Sequence, residues 1–166
     1  MIWGLSTATF TLVHVVISLI GIFTGLIVVW GMLAGKRLDA LTAIFLTTTV
    51  LTSVTGFGFP IHHFGPPHIV GVISLVVLTI ALFARYGAHL RGAWRWIYVV
   101  TSVTALYFNV FVGIVQAFQK VPALKALAPT QAEPPFAIAQ LIALVIFIVI
   151  AVLASRRFMP ATADVR

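Results

Sequence analysis

The sequence predicts an all-α integral membrane bundle of five transmembrane helices, and three observations carry that reading. Of the 166 residues, 61% are hydrophobic and 8% charged, with a mean hydropathy of +1.17, whereas a soluble domain draws about a quarter of its residues from the charged set. Five apolar stretches reach the roughly 20 residues that a helix needs to cross a bilayer. Prolines fall between these stretches or at their starts, where the missing amide hydrogen costs least.

The expected spans cover about 10–34, 40–58, 67–86, 95–119 and 136–155. The first has no basic leader and no small-x-small cleavage site, so it is read as a retained helix rather than a signal peptide. Gly35-Lys36-Arg37-Leu38-Asp39 ends it, and Asp39 is placed to favour the N-terminus of the second. The second runs out at Gly58-Phe59-Pro60, and Pro66-Pro67 opens the third. A basic segment with Arg85, Arg91 and Arg95 precedes the fourth. The longest connection, Lys120 to Pro135, is expected to contain a short helix on the membrane surface in its apolar half, with Pro134-Pro135 starting the fifth span. The chain reads as one domain, residues 1–166, with nothing left over for a soluble module.

Charge sets the expected orientation. Lys+Arg number 10 against 3 Asp+Glu. Lys36, Arg37, Arg85, Arg91, Arg95, Arg156, Arg157 and Arg166 fall on one side, and Lys120, Lys125 and Glu133 on the other. Basic loops stay in the cytoplasm, which puts the N-terminus outside, the C-terminus inside, and the protein in a bacterial inner membrane as a multi-pass component. Trp94, Trp96 and Trp3 have the character of interfacial aromatic belts. The basic excess is thus a topology signal, and the expected partner is the lipid bilayer rather than nucleic acid. The absence of cysteine excludes disulfides, thiolate metal sites and thioether-attached haem.

That orientation gathers His14, His62, His63 and His68 on the outer side and leaves His89 among the cytoplasmic arginines. No Asp or Glu lies within a span, which argues against a proton pump or an ion-coupled transporter built on carboxylates. An ionisable group in a span is by default a functional-site hypothesis. His14, Ser18, Gly21 and Gly25 form one helical stripe, and Gly71 lies one turn from His68. Ser102, Ala105, Asn109, Gly113 and Gln116 repeat the pattern in span four, and Thr48, Thr52 and Thr55 in span two. Such faces serve close helix packing and interhelical hydrogen bonds. Glycine beside histidine also makes room for a flat macrocycle, so His14 and His68 are candidate axial ligands of a b-type haem.

Two alternatives use the same side. His62, His63 and His68 sit in a proline-bounded loop, and imidazole suits Zn, Cu, Fe and Ni, so they are a candidate metal set. His14, His68, Asn109, Gln116 and Gln140 are candidate polar contacts for a quinone or another lipid-like molecule. Glu133 reads as a solvated residue, or else as an acceptor that orients one of the imidazoles. Gly21-x-x-x-Gly25 is a candidate self-association face.

The segments Leu51-Thr52-Ser53-Val54-Thr55-Gly56-Phe57-Gly58-Phe59-Pro60 and Val121-Pro122-Ala123-Leu124 through Glu133-Pro134-Pro135-Phe136 resemble those of small bacterial multi-pass membrane proteins to which no activity is attached. A histidine in the first span and another opening a later one is also similar to small b-type cytochrome bundles, a likeness of layout that implies a helical bundle and two axial ligands. The sequence therefore supports an electron-transfer protein with an outer haem or quinone site, a non-catalytic accessory subunit of a larger membrane complex or homo-oligomer, or a metal- or lipid-binding module. No Ser/His/Asp set or carboxylate pair lies within the spans, so a stand-alone hydrolytic enzyme is not expected.

Overall fold

The computed structural model describes residues 1–60 and 65–159. Among the described residues six α-helices follow one another: α1 (Thr7–Leu33), α2 (Asp39–Gly56), α3 (Pro66–Leu82), α4 (Trp94–Lys120), α5 (Pro122–Leu127) and α6 (Pro134–Arg157). Five helical stretches are long and apolar enough to cross a membrane among the described residues: α1, α2, α4, α6 and Pro67–Gly87, in which α3 continues through a π turn. The expected spans are all present, shifted at their ends by a few residues, and α5 is the short helix anticipated in the long connection.

Local chemistry sets the helix starts. The Ser6 hydroxyl accepts from the Thr9 amide at 3.1 Å and caps α1, satisfying one of its unpaired first-turn donors. Proline at the first helical positions opens α3, α5 and α6. Asp39 is the first residue of α2, as the sequence suggested. At the other end of α3 the chain widens into a π turn, Phe83–Gly87, and then passes through left-handed backbone at His89, Leu90 and Gly92. Leu90 holds this conformation while its side chain is buried, and its amide reaches back to the Ala84 carbonyl at 2.9 Å.

α4 is the hub, touching α1, α2, α3 and α6. Its inward face, Tyr98, Val99, Ser102, Val103, Ala105, Leu106 and Asn109, is buried along three turns. It meets Phe45, Leu46, Leu78 and Val28 in the core. Gly21 and Gly25 are also buried here. A Cβ on Gly25 would stand 2.6 Å from Leu106 and 2.8 Å from Phe45, and one on Gly21 3.2 Å from Asn109 and Thr48. The expected self-association face of α1 is therefore used inside the bundle, where glycine lets α1 approach α2 and α4 closely. α6 packs chiefly on α4 and turns most of its surface outward.

Connectivity gives the bundle two chemically distinct ends. One, the histidine end, holds the N-terminal turn, the end of α2, the start of α3 and the α4–α6 connection. The other, the basic end, holds the α1–α2 loop, the π turn and the end of α6.

Candidate functional site

At the histidine end the segment Gly56-Phe57-Gly58-Phe59 organises the site. Its glycines admit neighbours and its phenylalanines fill the gaps. A Cβ on Gly58 would meet Phe10 at 2.7 Å and Trp3 at 3.3 Å, and one on Gly56 would stand 3.9 Å from His14. Phe59 stands edge-on to both Phe10, at 5.1 Å between centroids, and His14, at 5.2 Å. Trp3 continues the series against Phe10 at 5.4 Å. The backbone turn that carries Trp3 is closed by mutual hydrogen bonds between Ile2 and Leu5. An aromatic cover thus spans the N-terminal turn, α1 and the end of α2 beside His14.

The imidazole of His14 is half-buried, and its Nδ1 lies 2.7 Å from the Thr55 hydroxyl. That hydroxyl is also 2.7 Å from the Leu51 carbonyl, one turn back in α2. A threonine has one hydroxyl hydrogen. With it given to Leu51, Thr55 accepts from His14 Nδ1–H, and the neutral ring keeps a bare lone pair on Nε2. The second nitrogen has no hydrogen-bond partner among the described residues. Ser18 lies one turn on, its hydroxyl given to the His14 carbonyl at 2.7 Å.

His68 is arranged in the opposite sense. Its Nδ1 accepts from the Gly65 amide at 3.2 Å at the start of α3, so the neutral ring carries its hydrogen on Nε2. Phe57 lies against it at 6.0 Å between centroids. The same phenylalanine occupies the space beside Gly71, where a Cβ would stand 3.0 Å from its ring.

The remaining residues expected at one outer site are dispersed. Asn109 lies deeper, its amide donating to Thr49 at 3.3 Å. Gln140, on α6, donates to the Phe111 carbonyl at 3.2 Å and keeps a buried, unpartnered Oε1. Gln116 is exposed. His62 and His63 lie outside the described residues, and among those described no three His, Asp or Glu side chains gather as a metal set. Glu133 is engaged within its own turn: its carboxylate accepts from the Thr130 hydroxyl at 2.9 Å and from the Thr130 amide at 3.3 Å. Desolvation pushes its carboxyl up, but the hydrogen bonds from Thr130 and nearby amides outweigh that and hold it below the usual value.

Bis-histidine haem does not fit these residues as arranged. Axial ligation needs a bare nitrogen on each ring, and His68 has committed its Nδ1 lone pair to a helix start. The glycine surfaces that would cradle a macrocycle are filled, Gly71 by Phe57 and Gly21 by Asn109, Thr48 and Thr49. An open apolar groove of about 420 Å³ between α4 and α6, lined by Tyr107, Phe108 and Phe147 among others, includes none of the histidines.

Several buried polar residues were not singled out from sequence. Thr42, Thr49 and Ser53 form the innermost polar line of α2, and the Ser53 hydroxyl donates to Ser74 of α3 at 3.2 Å. A heptad-like recurrence of hydroxyl residues in α2 carried that signal. The expected stripe Thr48, Thr52 and Thr55 is the flank of the same helix, half-buried. No family model, curated protein or solved structure matches the chain.

Proposed function

We propose that this protein is a multi-pass bacterial inner-membrane protein that binds a quinone-class molecule at its outer, histidine end and serves electron transfer with a partner. The observation that supports this reading is the fixed imidazole of His14. Its Nδ1 is tied to Thr55, so its free Nε2 is a hydrogen-bond acceptor of set direction within a span. A quinol hydroxyl is a matching donor. The adjoining Phe10, Phe59 and Trp3 supply flat apolar surface for a ring. The basic end then lies in the cytoplasm, in keeping with the distribution of arginine.

The test is chemical. Protein purified in mild detergent is extracted with organic solvent and the extract examined by its reduced-minus-oxidised ultraviolet spectrum. Quinone is expected with the wild-type protein and lost with His14→Ala, while the purified protein shows no Soret band. A Soret band, or equal quinone in both, sinks the reading.

The outward apolar face of α6 favours a second reading, a subunit held within a larger membrane complex. Retention of a stoichiometric partner through purification, lost when Ile142 and Ile146 are both changed to alanine, would support it.

A further inference from the structure

The basic end contains a second polar cluster that the histidine site does not use. Arg85, in the middle of the π turn, has a side chain only 4% exposed. One Nη bonds Asp39 at the start of α2, and its guanidinium lies 5.4 Å from the Tyr98 ring centre and 5.5 Å from that of Tyr86. Among the described residues its Nε has no hydrogen-bond partner. The hydroxyls of Tyr98 and Ser102 are buried as well and lie beside each other and Thr42. Tyr98 is 1% exposed and Ser102 wholly buried. A buried donor left unmatched costs free energy, and the Arg85 Nε beside these hydroxyls points to a missing acceptor.

The arrangement around them is one-sided in charge. Arg85, Tyr98 and Thr42 lie beneath a narrow crevice that is closed to a water-sized sphere while Asp39 holds Arg85, with Lys36 and Arg37 at its rim and apolar walls from Val28, Met32, Leu38 and Phe158. The α1–α2 loop lies against the end of α6, where the Arg157 carbonyl stands 3.5 Å from the place a Cβ on Gly35 would take. Arg95 donates to the Phe158 carbonyl at 2.9 Å on the same side. Among the described residues this end bears Lys36, Arg37, Arg85, Arg91, Arg95, Arg156 and Arg157 against the single carboxylate of Asp39. That carboxylate bonds both Arg37, at 3.2 Å, and Arg85, while its side chain remains 64% exposed.

We infer that this crevice is a binding site for the phosphate of an anionic phospholipid headgroup, and that Asp39 occupies the guanidinium of Arg85 in its place when no lipid is bound. An oxyanion is the acceptor that guanidinium, phenol and ammonium groups share. Basic pockets between helix ends are where lipid phosphates settle. The apolar walls favour a lipid over free phosphate, since they offer a surface to the glycerol and the first methylenes. Entry of the phosphate displaces an exposed carboxylate, which water solvates.

The experiment uses full-length protein, delipidated in a neutral detergent, titrated with short-chain phosphatidylglycerol, with short-chain phosphatidylcholine and with inorganic phosphate. Phosphatidylglycerol is expected to bind at least tenfold more tightly than phosphatidylcholine. The double change Lys36→Gln with Arg37→Gln, at exposed positions, should remove most of that preference while thermal unfolding of the lipid-free protein stays where it was. Asp39→Asn retains an acceptor for Arg85 but removes the competing charge, so phosphatidylglycerol should bind severalfold more tightly than to wild type. Equal binding of the two lipids, an unchanged preference in the double variant, or weaker binding in Asp39→Asn would each overturn the proposal. Inorganic phosphate binding as tightly as the lipid would overturn the headgroup assignment and leave a free-oxyanion site.

Discussion

Single residues decide what each end of this bundle can do. His14 becomes an acceptor because Thr55 takes its Nδ1 hydrogen, and Thr55 does so because its own hydrogen goes to Leu51. Thr55→Val keeps the shape and removes the tether, so quinone retention should fall severalfold with little change in thermal stability. Thr55→Ser should restore it. Gly25 offers a packing test. A methyl there meets the fully buried Phe45 and Leu106, and overpacking costs about 1–3 kcal/mol. Gly25→Ala should lower the unfolding temperature measured in detergent. Gly113→Ala, whose methyl would stand 3.7 Å from Ile22, should leave it near the wild-type value.

Glu133 carries a pH dependence of known sign. Its carboxyl is held below the ordinary value of 4.5 by the Thr130 turn, against an opposing desolvation. Stabilisation of that turn is therefore complete above the unfolded value and is lost as pH falls through the lower, folded one. Amide exchange at Thr130 and Ala132 should show constant protection from pH 7 to 5 and loosen on further acidification. Glu133→Gln should show the loosened behaviour throughout.

At the scale of elements, hydropathy and proline made the helices legible. Spans one to five appear because apolar runs of sufficient length have few folded alternatives in lipid. Pro66, Pro122 and Pro134 mark three helix starts in agreement with the structure. The π turn at Phe83–Gly87 had no such marker, since Phe-Ala-Arg-Tyr-Gly continues the apolar pattern into a basic segment. For the same reason the Arg85–Asp39 pair was hidden. It joins residues 46 apart, and Arg85 reads from sequence as one more topological charge. Replacing it by leucine removes the partner of Asp39 and leaves only an apolar group beside the buried hydroxyls of Tyr98 and Ser102, while Arg85→Gln keeps a donor for Asp39 and brings a carbonyl acceptor among them. Arg85→Leu should therefore be the more destabilising of the two in thermal unfolding.

The candidate site was legible in part for a related reason. His14 stood out as an ionisable group inside a span, and that is where the structure finds a tethered imidazole. His68 stood out equally, yet it serves the start of α3, because a histidine three residues after Gly65 can reach the Gly65 amide. Asn109, Gln116 and Gln140 share a polar character and a half of the bundle, but helix rotation sends them to different neighbours. Periodicity gives the face of one helix and says nothing of which helix it meets.

The whole molecule is a hub-and-rim bundle, with α4 at the centre and two ends of opposite chemistry. A reporter fused after Arg157 should be active only in the cytoplasm, and activity on the outer side would reverse the assignment of the two ends. The most direct test of the proposed quinone site at the histidine end uses the tryptophans. Trp3 belongs to the aromatic cover beside His14, whereas Trp30, Trp94 and Trp96 lie towards the basic end. Titration of the reconstituted protein with a short-chain quinone should quench tryptophan fluorescence saturably, and Trp3→Phe should remove most of the saturable part. Non-saturable quenching, or saturable quenching unchanged in both Trp3→Phe and His14→Ala, would contradict the account.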